Sequence, residues 1–213
     1  MCDDIVFLEC LTAIDRRPFQ INVLGLKRRV PSSIGQTQGQ PDNSPEELRI
    51  LDREPGKFLF GQWKNITVLA WAAQADANTI ARLRRSLASV VGTCPGGRST
   101  VSIIAEGLPP PTDDARERVA DLMNGDNIDL ACLAIVVNGS GFMSSVLRSM
   151  HTGMRIGAPR SYEMAMFGTT DELARWLPPL HLAKTGVHID AAELRKIVCD
   201  ALSAAAETAP SES

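Results

Sequence analysis

The residues best suited to chemistry in this chain lie in a short turn, Asn138-Gly139-Ser140-Gly141, which follows an apolar run. Backbone N–H groups at the start of a helix attract anions, and glycine lets a ligand approach the backbone closely. Gly139, Ser140 and Gly141 are therefore candidates for binding a phosphate or a carboxylate. The turn lacks the lysine of a P-loop and the spacing of a dinucleotide-binding loop. We favour the alternative, a tight strand-to-helix connection that needs glycine for its geometry.

Ser140 is also a candidate nucleophile, but its surroundings in sequence argue against catalysis. A nucleophile elbow requires Gly-x-Ser-x-Gly, which this turn does not match. A triad also requires a histidine base and an acid, and the histidines are His151, His181 and His188. His151 lies about three turns along the same predicted helix, so its ring points away from Ser140. A serine hydrolase is thus the least favoured function.

The cysteines and histidines show no pattern of metal ligands. The 5 cysteines are widely spaced without a Cys-x-x-Cys pair, and no histidine lies within four residues of a cysteine or another histidine. Zinc sites usually present such local pairs. We expect free thiols in a reducing cytoplasm, with no metal and no cofactor.

Three residues are candidates for contacting a protein partner: Thr112, Arg148 and Arg155. The two arginines are two turns apart on one face of a predicted helix. Together with Lys64, or with the arginines of the segment 82–85, they could bind an acidic partner. The alternative for these arginines is a solvated face with local ion pairs.

Composition excludes several other classes of protein. The chain has 213 residues, of which 44% are hydrophobic and 22% charged, as in ordinary globular domains. Its net charge of −3 argues against a nucleic-acid binder that relies on phosphate neutralisation. The longest apolar run, 130–137, is far shorter than the roughly 20 residues of a membrane-spanning helix. With no export signal in sequence, we expect a cytoplasmic protein.

The elements that must position these residues become regular from Phe58. The segments 58–64 and 66–72 predict a hairpin that turns at Lys64-Asn65. Strands at 100–105, 130–137 and 162–167 then alternate with segments of helical periodicity. Because 130–137 is apolar on both faces, it is typical of an interior strand of a parallel sheet. The pattern predicts an α/β fold with a mixed sheet, an opening hairpin and βα crossovers.

The chain divides into four predicted parts: an N-terminal extension (1–57), an α/β domain (58–178), a C-terminal helical extension (179–207) and a disordered tail (208–213). Within the first part, the polar stretch 27–56 is predicted to be a flexible linker with a short helix at 45–51. Thr169 and Glu172 predict a capping box for a helix that Pro178-Pro179 should stop. An amphipathic helix in the C-terminal part, or the N-terminal segment, could mediate self-association.

From Phe58 to Leu177 the order of elements resembles the STAS family of anti-sigma-factor antagonists, and more closely its divergent STAS/SEC14-like branch. The resemblance is carried by the helix Val146-Leu147-Arg148-Ser149-Met150, the strand Tyr162-Glu163-Met164-Ala165-Met166-Phe167 and the helix end Ala174-Arg175-Trp176-Leu177. It implies a STAS-like fold and protein–protein recognition, in bacterial signalling or a regulatory assembly, without an enzymatic reaction.

STAS proteins are switched by phosphorylation of a serine at the start of their second helix. The matching place here is Gly107 to Asp114, where Thr112 is the only hydroxyl. A phosphate on Thr112 would be repelled by Asp113 and Asp114, so we expect Thr112 to cap the helix.

Three functions follow, in order of preference. The first is a non-enzymatic interaction module whose partner is another protein or a second copy of the chain. The second is a small-ligand or anion-binding protein that uses the turn at 138–141. The third is a hydrolase based on Ser140.

Overall fold

The sheet has six strands, and their order in space is their order along the chain. The computed structural model describes residues 47–94, 96–124, 130–139 and 162–207. The strands are β1 (Arg49–Glu54), β2 (Phe58–Trp63), β3 (Ile66–Trp71), β4 (Arg98–Ile104), β5 (Leu130–Val137) and β6 (Glu163–Phe167). The helices are α1 (Ala77–Ala88), α2 (Asp113–Asn124), α3 (Thr170–Thr185) and α4 (Ala191–Ala206). Strands β1 to β3 are antiparallel and β3 to β6 are parallel, which confirms the predicted mixed α/β sheet.

The predicted opening hairpin is formed by β2 and β3, with Lys64-Asn65 between them. The residue with left-handed backbone is Lys64, whose φ is 49°, although asparagine adopts this conformation more readily. Asn65 has a different role, because its side chain is buried and its Nδ2 donates to the Gly97 carbonyl at 3.0 Å. This bond joins the hairpin turn to the residue just before β4.

Strand β5 lies in the interior of the sheet, as its apolar sequence predicts. It pairs in parallel with β4 on one side and with β6 on the other. Cys132, Ala134 and Val136 are fully buried against one layer, and Leu133 belongs to a cluster on the opposite face. Both faces of β5 therefore need a cover.

Each face of the sheet is covered by a different part of the chain. Leu83 and Leu87 of α1, with Leu122 of α2, pack around Phe58 and Phe60 on one face. Right-handed crossovers that advance in one direction along a sheet place their helices on the same face. The opposite face is covered by α3 and α4 through four buried residues, Leu173, Leu177, Leu194 and Val198.

The prediction of a flexible linker is wrong for residues 49–54, which form the edge strand β1 rather than linker or short helix. Arg82 of α1 explains why this charged segment is ordered. Its guanidinium donates to both carboxylate oxygens of Asp52, at 2.5 and 2.9 Å, and to Glu54 at 3.2 Å. A forked arginine–carboxylate contact combines charge with fixed geometry, so β1 gains its order from a partner outside its own sequence. Residues 27–46 lie outside the described residues.

Two further predictions concern the C-terminal half and are also wrong. Helix α3 continues through Pro178-Pro179 and ends at Gly186, whose φ is +76°. Leu177 and His181, on either side of the prolines, are fully buried, and this burial offsets the lost backbone bonds. The predicted boundary at 178 therefore falls inside a helix.

Helix α4 belongs to the core of the domain and is not an added extension. Its residues Leu194, Val198 and Ala201 are fully buried. The Gly56 N–H, in the turn after β1, donates to the Ala205 carbonyl at 2.9 Å. The domain therefore runs from β1 to the end of α4, and the predicted tail at 208–213 lies outside the described residues.

We predict that Pro179→Ala stabilises the protein. Pro179 is exposed, so its ring contributes little to packing, whereas alanine would supply the N–H that the carbonyl of Arg175 lacks. A proline inside a helix costs about 3 kcal/mol and its restriction of the unfolded chain returns about 1 kcal/mol, which leaves a gain of about 2 kcal/mol. Urea unfolding of both proteins measures it. A decrease in the free energy of unfolding would show that the proline geometry itself is needed.

Candidate functional site at the carboxyl edge of the sheet

A shallow cleft with a volume of about 430 Å³ opens where β5 and β6 end. It is lined by Asn138 and Gly139 after β5, by residues 168–171 after β6, and by Arg195 and Cys199 of α4. Ligands of α/β proteins usually bind beyond the carboxyl ends of the strands. The cleft is therefore where the predicted anion-binding turn would act. Gly139 lines it, whereas Ser140 and Gly141 lie outside the described residues.

Gly139 has a backbone conformation that favours glycine, and a side chain there would require the Glu106 side chain to move. Its φ is +98°, and a Cβ at this position would lie 2.6 Å from Oε1 and 2.7 Å from Cγ of Glu106. Glu106 follows β4, the strand next to β5, so its carboxylate reaches the neighbouring turn. A negative charge of the protein itself thus lies against the backbone where an external anion was predicted.

The start of α3, on the other side of the cleft, is closed by its own side chains. Oε2 of Glu172 accepts from the N–H groups of Gly168, at 2.8 Å, and Thr169, at 3.2 Å. In return, Oγ1 of Thr169 accepts from the N–H of Glu172 at 3.2 Å. This is the predicted capping box, and it is confirmed. These donors already have an anionic partner.

Arg195 is the cation that lines the cleft, and it is paired across it. Its Nε lies 2.7 Å from Oδ1 of Asp171 at the start of α3. Both side chains are largely exposed, so the pair contributes at most about 1 kcal/mol to stability. It nevertheless balances the charge of Arg195. Cys199, one turn further along α4, presents an exposed free thiol.

The candidate partner residues fall in three different situations. Thr112 caps α2, because its Oγ1 accepts from the N–H of Ala115 at 3.3 Å. Arg82 is engaged by β1, which leaves Arg84 and Arg85 exposed. Arg148 and Arg155 lie outside the described residues.

A buried polar cluster around His181 is the feature that the sequence analysis missed. Nε2 of His181 lies 2.6 Å from Oδ1 of Asn65, and Nδ1 lies 2.7 Å from Oγ of Ser99. Because the Asn65 amide donates to Gly97, its oxygen must accept, and Nε2 therefore carries the proton. Burial, with a smaller contribution from the charge of Lys64, lowers the pKa of His181 to about 4. The neutral ring thus accepts a hydrogen bond from the Ser99 hydroxyl at Nδ1.

The Asn65–His181–Ser99 cluster has the side chains of a catalytic triad without access for a substrate. Ser99 and His181 are 0% exposed. They lie near the amino ends of β3 and β4, at the edge opposite the cleft. Cys132, paired with Ser99 across β4 and β5, is equally buried, and burial raises the pKa of its thiol. The cluster therefore joins α3 to the hairpin and to β4. The spacing of Leu173, Leu177 and His181 is the sequence signal that could have placed the ring on a buried face.

A scan of protein-family models matches none to this chain, and searches of curated proteins and solved structures also find no match. Within the described ranges, no group of three or more His, Cys, Asp or Glu side chains could hold a metal ion. None of the helices in this part of the chain is long and apolar enough to cross a membrane.

We predict that Gly139→Ala destabilises the protein more than Gly107→Ala. Both glycines have positive φ, but among the described residues no atom lies within 4 Å of a Cβ at Gly107. The backbone cost of about 1 kcal/mol applies to both variants. At Gly139 alone the exposed Glu106 side chain must also move away, which adds about 1 kcal/mol, the low end of overpacking costs. Chemical unfolding of the two variants measures the difference. Adding Glu106→Ala to Gly139→Ala should recover most of it, and equal costs at the two glycines would contradict the close contact.

Proposed function

We propose that this chain is a non-enzymatic protein–protein interaction module. The observation that supports this proposal most directly is that the Glu106 carboxylate lies against Gly139. It lies beside the backbone that would otherwise be the strongest anion site in the sequence. The capping box of α3 acts in the same sense, because Glu172 satisfies backbone N–H groups that a ligand would need. Asp171 also balances the charge of Arg195. The resemblance to STAS proteins supports recognition of a protein.

The outer face of α3 supports recognition through a surface. Leu182 is 44% exposed, and Pro179 and Ala183, which lie one turn before and beside it, are also exposed. Single exposed apolar residues are ordinary, but these three are neighbours on one helix face. We call Pro179, Leu182 and Ala183 the α3 strip. An interaction module would use such a strip as part of its contact.

The second candidate is a small-ligand or anion-binding protein, and the cleft at the carboxyl edge favours it. A ligand there would have to compete with Glu106 and Asp171 for the groups that line the cleft. For a hydrolase based on Ser140, His181 is not an available base, because both of its ring nitrogens are engaged by Asn65 and Ser99.

The experiment compares the full chain with Leu182→Arg and with Val91→Arg as the matched control. Val91 is another exposed apolar residue, at 36%, outside the α3 strip. We expect the wild type and Val91→Arg to self-associate in light scattering or to capture the same partner from source cells. Leu182→Arg should lose this association at least tenfold, because a charge must be desolvated at the contact.

Other outcomes would contradict the proposal in distinguishable ways. A monomer that captures nothing, but binds phosphate or acetate with a dependence on Arg195, would indicate the ligand-binding function. Covalent labelling of Ser140 by a fluorophosphonate, lost in Ser140→Ala, would indicate the hydrolase.

A further inference from the structure

His181 is placed where a polar contact can control the end of α3. The first half of α3 is fixed by apolar residues, Leu173 and Leu177, packed against the sheet. Pro178 and Pro179 then remove two backbone donors just before the turn that contains His181. From this turn the ring reaches two other elements, the hairpin turn at Asn65 and strand β4 at Ser99. Its hydrogen bonds therefore attach the turn that follows a stretch where the helix lacks two backbone bonds.

We propose that the Asn65–His181–Ser99 cluster is an acid-sensitive latch that holds the C-terminal turn of α3 on the sheet. In the neutral ring, Nε2–H donates to Asn65 Oδ1 and Nδ1 accepts from the Ser99 hydroxyl. A second proton must go to Nδ1, which then has no lone pair for that hydroxyl. The Ser99 proton must turn away, and the ring acquires a positive charge in a fully buried place.

The charged and titratable groups around the cluster do not compensate such a charge. The hairpin contributes Lys64, a cation, whose ammonium group is itself paired with Glu193 of α4 at 3.4 Å. Strand β4 also carries a cation, Arg98, which is buried and precedes Ser99 in sequence. Strand β5 contributes the thiol of Cys132. Burial raises the pKa of this thiol, and the charges of Lys184 in α3 and Glu163 in β6 have smaller, opposite effects on it. Among the described residues, no carboxylate makes a hydrogen bond or an ion pair with the ring.

The direction of the pH dependence follows from these surroundings. A histidine in the unfolded or opened chain binds a proton near its ordinary pKa of 6.5, whereas the buried ring does so only near pH 4. The opened form thus binds more protons than the closed form between these values. The free energy of opening therefore decreases as the pH falls through this interval, and it is constant above it.

The test is hydrogen exchange, read by mass spectrometry, on the full chain between pH 7 and pH 4.5 after correction for intrinsic exchange. We expect protection of residues 180–186 to fall by up to tenfold per pH unit below pH 6.5, the slope of one proton. Protection of α1, on the opposite face, should change less.

His181→Gln is the decisive variant, because the glutamine amide also offers a donor group and an acceptor group but does not titrate. It should abolish the pH dependence of residues 180–186, and His188→Gln, at an exposed histidine, should retain it. If His181→Gln fails to fold, ring ¹⁵N shifts of the wild type decide, since the latch requires a proton on Nε2 alone at pH 7. Equal pH dependence in α1 and α3, persistence in His181→Gln, or a proton on Nδ1 would overturn the proposal.

Discussion

A strand that is apolar on both faces has to be covered on both faces, and β5 imposes this condition on the whole domain. Cys132, Ala134 and Val136 face one layer and Leu133 faces the other. Crossovers that advance strand by strand cover only one face. The chain must therefore return across the opposite face after β6, and α3 and α4 make that return. This is why the C-terminal helix is part of the core.

Where α3 and α4 cross the sheet, they bring polar groups close to it. The hydrogen bonds of these groups are satisfied differently at the two edges of the sheet. At the amino edge, α3 passes over the hairpin turn, and His181 pairs with Asn65 and Ser99 where water is excluded. Buried polar groups are tolerated only when their bonds are complete. At the carboxyl edge the groups remain partly exposed, and the carboxylates of Glu106, Asp171 and Glu172 lie against Gly139, Arg195 and the backbone before α3.

The local sequence pattern was sufficient to predict the elements whose contacts are close in sequence. The hairpin, the interior position of β5 and the capping box at Thr169 each depend on residues within a few positions of one another, and each was predicted. Strand β1 was not, because its charges make sense only beside Arg82, about thirty residues away. The sequence predicts that α3 stops at its two prolines, because proline disfavours a helix locally. The helix continues because Leu177 and His181 are buried by tertiary contacts, which a local propensity does not include.

In the candidate site, too, the features that depend on neighbouring residues were predictable and those that depend on distant residues were not. Gly139 could be recognised as a position that needs glycine, but its neighbour Glu106 comes from another strand. The partners of His181 lie 82 and 116 residues away, so only its helical phase was visible in sequence. A histidine next to a serine invites a catalytic interpretation. Here complete burial and a position at the amino edge of the sheet favour a structural role, in which the hydrogen bonds of His181 join α3 to the sheet. Because the exposed Leu182 directly follows His181 in α3, the same turn that is fixed inside by the ring also presents the α3 strip outside. The order of this turn is therefore the link between the interior of the domain and the surface through which we propose it recognises a partner.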